Sequence, residues 1–411
     1  MPPIASLPML DARAHFEAVK AGLPGDMARR AAMLAQAEQL GLPTRRQESW
    51  HYTDLPQLLK RPLPGSDSKT VADLPDFSAV VPFAVQFDNG RLTTALPSGE
   101  TGLSVAPFAG PKAIAEQAIE ENDAMLLFNA ALAGDGLDVQ VTGKVTAPLL
   151  LKQTGATATH LRHRLRLAAG AHLTLVDILA CNGYSNHAMH IEVENGATLE
   201  ILRLHHSGRH IGTTTVQLAE AARANIVTMV MSDDVARHDM RVSLTGSGAH
   251  IGQYQAVLAG GAAHIDMTGQ LHHLAAGSTS ETRAHYALSG AARGVFQGQV
   301  QVARDAQQVD AQMQTRALML SENAEMDAKP ELEIYADDVA CAHGSAIGAL
   351  DEAALFFLRA RGIDAVTARQ LLVGGFVREI SAQITHSGLA DALNGYLEAR
   401  IAALVEALPN G

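Results

Sequence analysis

The stretch that decides the fold is "GAHLTLVDIL", residues 170–179, because it returns along the chain. Counterparts open with "GATL" at Gly196, "RANI" at Arg223 and "GAHI" at Gly248, at successive offsets of 26, 27 and 25 residues. Each opening leads into a short apolar run, as in "TLEILRL" (198–204) and "NIVTMVM" (225–231). These are strand signals, and the Gly–Ala pairs mark corners. A period near 26 with short strands and frequent Gly–Ala corners predicts stacked coils, each closing the core of its neighbour, hence a parallel β-helix or related solenoid. Hairpins in a sandwich are the competing arrangement.

Working outward, the same texture runs from about residue 76 to 335, and the β-helix core is expected over 76–345. Residues 1–75 read as an N-terminal helical region. Phe16, Val19, Ala31, Leu34 and Leu40 fall at roughly helical spacing, and "GLP" stops the pattern at 22–24 and 41–43. "KRPLPGSDSK" (60–69) then reads as a turn or linker. A C-terminal helical region is expected over 346–411. "DEAALFFLRARG" (351–362) has an acidic start, a stripe of Ala354, Leu355 and Leu358, and Gly362 as its C-cap. A second helix runs through "ARQLLVGGFVREI" (368–380). A third places Leu389, Leu393, Leu397, Ile401, Leu404 and Leu408 on one face before Pro409. Amphipathic helices must dock, either on the end of the solenoid or on another protein.

The chain of 411 residues carries 31 basic and 43 acidic side chains, a formal charge of −12, which argues against nucleic acid or anionic lipid as partner. With 47% hydrophobic and 18% charged residues it is a globular sequence. Only Cys181 and Cys341 are present, so no disulfide framework supports it. The first 20 residues lack a basic start and an apolar core, and the longest uncharged stretch, from Val242 past Ala263, is too polar for a membrane span. A soluble cytoplasmic protein with reduced thiols is expected.

The densest chemistry lies in "ADDVACAHGSAIG", residues 336–348. If extended, it turns Cys341 and His343 to the same side, two ligands suited to one soft or borderline metal. A closed structural site needs about four ligands, and Cys181 is the only other thiol, so a half-site completed by a second subunit remains open. A nucleophile reading would activate Cys341 with His343, oriented by Asp337 or Asp338, but lacks an oxyanion-hole motif. The plainest alternative is a polar strand end, with Asp338 satisfying backbone donors and Gly344 and Gly348 making a corner.

Elsewhere the signals are weaker. There are 18 histidines, with His205–His206 and His272–His273 adjacent. Neighbours on a strand face opposite sides, so these pairs do not chelate one ion, and surface or ladder-stacking roles are expected. "LAGGAAH" and "GSGAHIG" contain no GxxxxGK[ST], so they are read as coil corners and not as a phosphate cradle. Trp50, in "RRQESWHYT" (45–53), is either an interface anchor or a joint between helices and solenoid.

Two segments carry a family resemblance. "GLPTRRQESWHYTDL" (41–55) and "KPELEIYADDVACAHGSAIGALDEAALFFLRARGI" (329–363) resemble the SufB/SufD family of iron–sulfur cluster assembly proteins. Two cysteines and this length favour its SufD branch over the longer, more cysteine-rich SufB branch. The resemblance covers residues 40–380 and agrees in its order of helices, β-solenoid and helices. It implies a non-enzymatic scaffold that pairs with SufB through the β-helices and binds the SufC ATPase through the C-terminal helices. By that resemblance His343 would be a ligand for transient iron or a nascent cluster at the SufB–SufD interface. Cys341 is a weaker ligand candidate, and Asp337 and Asp338 hold the turn. Phe356, Arg361, Leu371, Phe376 and Arg378 are then the residues expected to face SufC, whose ATP-driven dimerisation would pull on these helices. A β-helix enzyme acting on polysaccharides, and a self-pairing structural protein or isolated homodimer, are the readings from other classes.

Overall fold

The computed structural model describes residues 11–62, 74–108 and 122–408. Most of the linker-like stretch at 60–69, and Pro409, lie outside them. The chain opens with helices α1 (Ala12–Val19), α2 (Met27–Leu40) and α3 (Leu55–Leu59). Strands β1 (Phe83–Asp88), β2 (Arg91–Leu92) and β3 (Leu103–Pro107), helix α4 (Ala124–Leu132) and β4 (Leu137–Val141) lead into the coils. These comprise β5 (Leu149–Gly155), β6 (Thr159–Leu167), β7 (His172–Val193), β8 (Thr198–Leu218), β9 (Arg223–Val230) and β10 (Val235–Leu244). They continue through β11 (His250–Ala259), β12 (His264–His273), β13 (Thr279–Leu288), β14 (Arg293–Val302), β15 (Val309–Met319), β16 (Glu325–Ile334) and β17 (Val339–Gly348). Helices α5 (Glu352–Arg359), α6 (Ala365–Ser381) and α7 (Ser387–Glu406) close the chain.

The coils form a flattened parallel β-helix with two walls. One wall is the ladder β1–β5–β7–β8–β9–β11–β13–β15–β17. The other is β4–β6–β7–β8–β10–β12–β14–β16, the long β7 and β8 bending from one wall into the other. Leu173, Leu199, Ala224 and Ile251 stack inward at equivalent positions, which is how apolar residues two apart in sequence become a continuous core.

The corners explain the repeat and correct its phase. Gly170, Gly196, Gly248 and Gly277 have φ between 66° and 69°, the left-handed conformation that glycine adopts at little cost. Between Gly196 and Gly248 that corner is Ala221, with φ 52°, so "RANI" begins two residues later in its coil than "GATL" does. The backbone N–H of each corner donates to the next coil, from Gly196 to Glu220, Ala221 to Ser247, Gly248 to Ala276 and Gly277 to Gln307.

Helix α4 falls where only strands were expected. Asp123 caps it by accepting from the Leu126 N–H, and all nine of its residues are buried, so no amphipathic stripe advertises it. It packs with Leu34 and Ala37 of α2 in a cluster against the outer side of the β4–β16 wall. The N-terminal region grips that wall through its backbone: Arg237 donates to Ser49 O, and Arg209 to Leu59 O and Arg61 O. Trp50 is the joint and not an exposed anchor. It is buried, with the Arg237 guanidinium 3.9 Å from its ring centre.

The C-terminal helices cover the opposite wall, not the end of the solenoid. Val373, Val377 and Ile380 of α6 and Leu389, Leu393, Leu397, Ile401 and Leu404 of α7 pack on Leu202, Leu204, Val227, Met229, Ala256 and Leu258. Asn225 donates to Gln383 O, and His206 meets the Tyr396 hydroxyl at 2.7 Å. Among the described residues no helix is long and apolar enough to cross a membrane.

Candidate functional site at the open end of the coils

With a helical layer on each wall, the last coil is left bare. Strand β16 pairs with β14 and β17 with β15, and among the described residues neither has a partner on its far side. Each presents ten residues of edge, a template for strand addition. Pro330, within β16, is tolerated because an edge strand can spare a donor.

The segment around Cys341 and His343 is extended, so Gly344 and Gly348 lie inside a strand and make no corner. Register fixes which way its side chains face. Cys341 pairs with Ala311, His343 with Met313, Ser345 with Thr315 and Ile347 with Ala317, and all four partners are buried lumen residues. Cys341 and His343 therefore stand on the inward face of a coil that no other described residues cap with a further coil. His343 is exposed, and Cys341 is half-buried against the core. Burial pushes the Cys341 thiol above its usual range, against a hydrogen bond with the Ala311 backbone that acts the other way. The outward face of β17 is Ala340, Ala342, Gly344, Ala346 and Gly348, so little bulk stands outside this edge.

The turn before β17 continues the corner ladder: Gln308, φ 59°, donates from its N–H to Asp338 O at 2.6 Å. Asp338 N–H in turn donates to Gln307 Oε1, so Asp338 holds the corner through its backbone. Cys181 is buried on β7, its thiol pushed up to about 12 by burial. Six strand spacings separate β7 from β17 along the wall, roughly 30 Å, so the two thiols do not meet. No group of three or more His, Cys, Asp or Glu among the described residues is arranged to hold a metal ion. A metal at Cys341 and His343 thus needs ligands from elsewhere.

Ser345 and Ile347 share this inward face, and Tyr335, 59% exposed, precedes it. The sequence reading omitted all three, although the alternation that pairs Cys341 with His343 also reaches Ser345 and Ile347.

The residues expected to face a second partner separate into two sets. Phe356 is 74% exposed, Leu371 46% exposed, and Arg361 is exposed with its guanidinium 3.4 Å from the Phe357 ring centre. An open groove of about 710 Å³ lies beside them, with Leu320, Leu350, Leu355, Phe356 and Arg369 in its walls. Phe376 is different: at 7% exposure it stacks on His285 of the β-helix and holds α6 in place. Arg378 reaches Glu398 at 3.0 Å and ties α6 to α7.

The described histidines of the adjacent pairs are not surface residues for the most part. His205 is buried in the lumen against His210 and His238, with ring centres 5.1 and 5.3 Å away, while His206 points outward to Tyr396. The opposite facing of neighbours holds, but this cluster is not a stacked ladder: the register partners of His205 are Leu179 and Val230, and its ring meets His210 and His238 edge-on across the lumen.

The sequence of this chain is matched by known proteins. Residues 150–376 match the family model described as SUF system FeS cluster assembly, SufBD core domain. The iron–sulfur cluster assembly protein SufD of Escherichia coli is 27% identical over 396 residues, covering 92% of each chain. SufD of Bacillus subtilis is 27% identical over 172 residues, 42% of this chain and 39% of that one. A SufBD family protein of Synechocystis is 30% identical over 211 residues, 50% of this chain and 46% of its own. The chain belongs to the SufBD family of iron–sulfur cluster assembly proteins, on its SufD side.

Proposed function

We propose that the chain acts in iron–sulfur cluster assembly as a non-enzymatic cytoplasmic scaffold subunit, pairing with SufB through the free edges of β16 and β17. The shared interface then holds transient iron or a nascent cluster, as cargo, on His343 with Cys341 in support. The observation that carries this reading is the inward-facing Cys341–His343 pair on a coil with no further coil above it among the described residues. A lumen face normally receives the next coil, so a second β-helix stacked here would bury Ile334, Ile347 and Tyr335 and bring its own ligands to the pair. In the absence of SufB the same edge pairs two copies of this chain. SufC docks on the C-terminal helices through Phe356, Arg361 and Leu371, and supplies the ATP hydrolysis.

The thiol environment sets a division of labour. Cys341 is held protonated until a cation displaces its proton, whereas the His343 ring stands in solvent within reach of an incoming ion. His343 is accordingly the first ligand and Cys341 the adjustable one. The test is coexpression of His343→Ala with SufB and SufC, followed by pull-down and iron and sulfide analysis. The complex should assemble with little bound iron; normal cluster formation in that variant would sink the ligand role.

A further inference from the structure

The lumen behind His343 is more polar than a solenoid core requires. Two neighbouring inward ladders end at the open coil. One runs Gln253–Thr282–Met313–His343 across β11, β13, β15 and β17. The next runs Asp177–Arg203–Thr228–Gln255–Ala284–Thr315–Ser345. Deep in the molecule these groups satisfy one another, with Arg203 Nε donating to Asp177 at 2.8 Å. Towards the open end they do not. Gln253 Nε2, Gln255 Oε1, Thr282 Oγ1 and Thr315 Oγ1 are buried with no hydrogen-bond partner among the described residues.

Three of these groups converge on one internal cavity. Gln253, Gln255 and Thr282 line it together with Gly269, Gly298 and Met313. Gly269 and Gly298 are register partners on β12 and β14, so two successive coils lack a side chain on the facing wall. The free space lies at Gly269, where a Cβ would meet nothing closer than Met240 O at 3.4 Å, with Gln253 Oε1 at 3.9 Å, whereas at Gly298 Met313 and Phe296 already fill the place of a side chain. About 10 Å³ is left for the centre of a small molecule, the room that one water needs.

We propose that this cavity binds one internal water, received between Gln253, Gln255 and Thr282, in a core that is hydrated from within beneath His343. The chemistry selects the ligand. Gln253 Nε2 donates, Gln255 Oε1 accepts and the Thr282 hydroxyl does either, which suits a molecule that both accepts and donates. No charged side chain lines the cavity, so neither a metal ion nor an anion is favoured over a neutral molecule. Left dry, an amide N–H, an amide oxygen and a hydroxyl would each bear the full penalty of burial without a partner. The inference stands on the fold alone and holds whether or not the assembly reading is right.

Crystals of the full chain and two variants test it. The wild-type map is expected to show a density peak within hydrogen-bonding distance of Gln253, Gln255 and Thr282. In solution, Thr282→Val removes one of the water's partners, and Gly269→Ala puts a methyl where the water sits, leaving the two amides unpaired. Both variants are expected to unfold at lower temperature than the parent. If the cavity is dry, the first deletes an unpaired hydroxyl and the second fills a void, so neither midpoint falls. Empty density in the wild type, or midpoints of both variants equal to or above the parent's, overturns the proposal.

Discussion

His285 and Phe376 stack face to face, ring centres 4.3 Å apart and planes 11° from parallel, while His285 Nδ1 lies 2.9 Å from the Phe376 carbonyl oxygen. One residue belongs to β13 and the other to α6, so this contact fastens the C-terminal helices to the wall of the β-helix. It also makes Phe376 a structural residue in a helix whose Leu371 stays exposed.

Phe376→Ala should therefore cost stability, about 3 kcal/mol as for a buried aromatic truncated to alanine. Leu371→Asp and Phe356→Asp, on exposed positions, should leave the denaturation midpoint within about 0.5 kcal/mol of the parent and abolish SufC capture. Urea unfolding and a pull-down distinguish the two behaviours. Equal destabilisation by all three would contradict the partition.

Ile347, 50% exposed on the lumen face of β17, is a residue that the proposed stacking would bury. Ile347→Glu should keep the monomer folded and prevent both pairing with SufB and self-association of the isolated chain. Light scattering with and without SufB measures both at once. Pairing that survives the charge would move the interface elsewhere.

Arg237 and Asp266 form a buried ion pair under Trp50, and Thr53 donates to the same carboxylate. Asp266→Ala leaves the guanidinium buried and uncompensated, a loss of about 3–5 kcal/mol. Trp50 fluorescence during denaturation reports it, since the ring lies on Arg237. An unchanged midpoint would mean that the N-terminal region does not rely on this joint.

Acid should unfold the protein through its interior. Burial pushes His160 and His163 down to about 3, and His205, His264 and His273 to about 4. Each folded-state value lies below the ordinary 6.5, so the unfolded chain binds more protons and stability rises with pH. Stability is complete above about pH 6.5 and is lost as pH falls towards 4, by up to about 1.4 kcal/mol per pH unit for each such histidine. Asp177 and Asp234, raised by burial, act in the opposite sense but titrate from the ordinary carboxylate range upward. Urea midpoints measured between pH 7.5 and 4.5 should fall steeply, and a flat profile would refute the histidine account.

Much of the architecture was readable from residues alone because Gly170, Gly196 and Gly248 occupy corners that need a left-handed backbone. The reading slipped at Ala221, where the same conformation is held by coil-to-coil hydrogen bonding without glycine to signal it. Where the helices dock was not readable, since an amphipathic stripe specifies a buried face and not what buries it. The position of Phe376 was readable in principle: Val373, Phe376, Val377 and Ile380 keep helical spacing, and that stripe is the face that packs. At the site, alternation gave the common facing of Cys341 and His343. It could not show that this face is the lumen, because that depends on Met313 and Ala311 one coil earlier.

Because β17 ends the stack with its pleat intact, a strand that adds to it inherits a parity. Residues aligned with Cys341, His343 and Ser345 look into the shared interior, and their immediate neighbours look away. A slip of one position would turn every incoming ligand to the outside while preserving the backbone ladder. Any strand that added at this edge would thus be proofread by a two-residue rhythm, and one with the right chemistry in the wrong phase would be as useless as one with none.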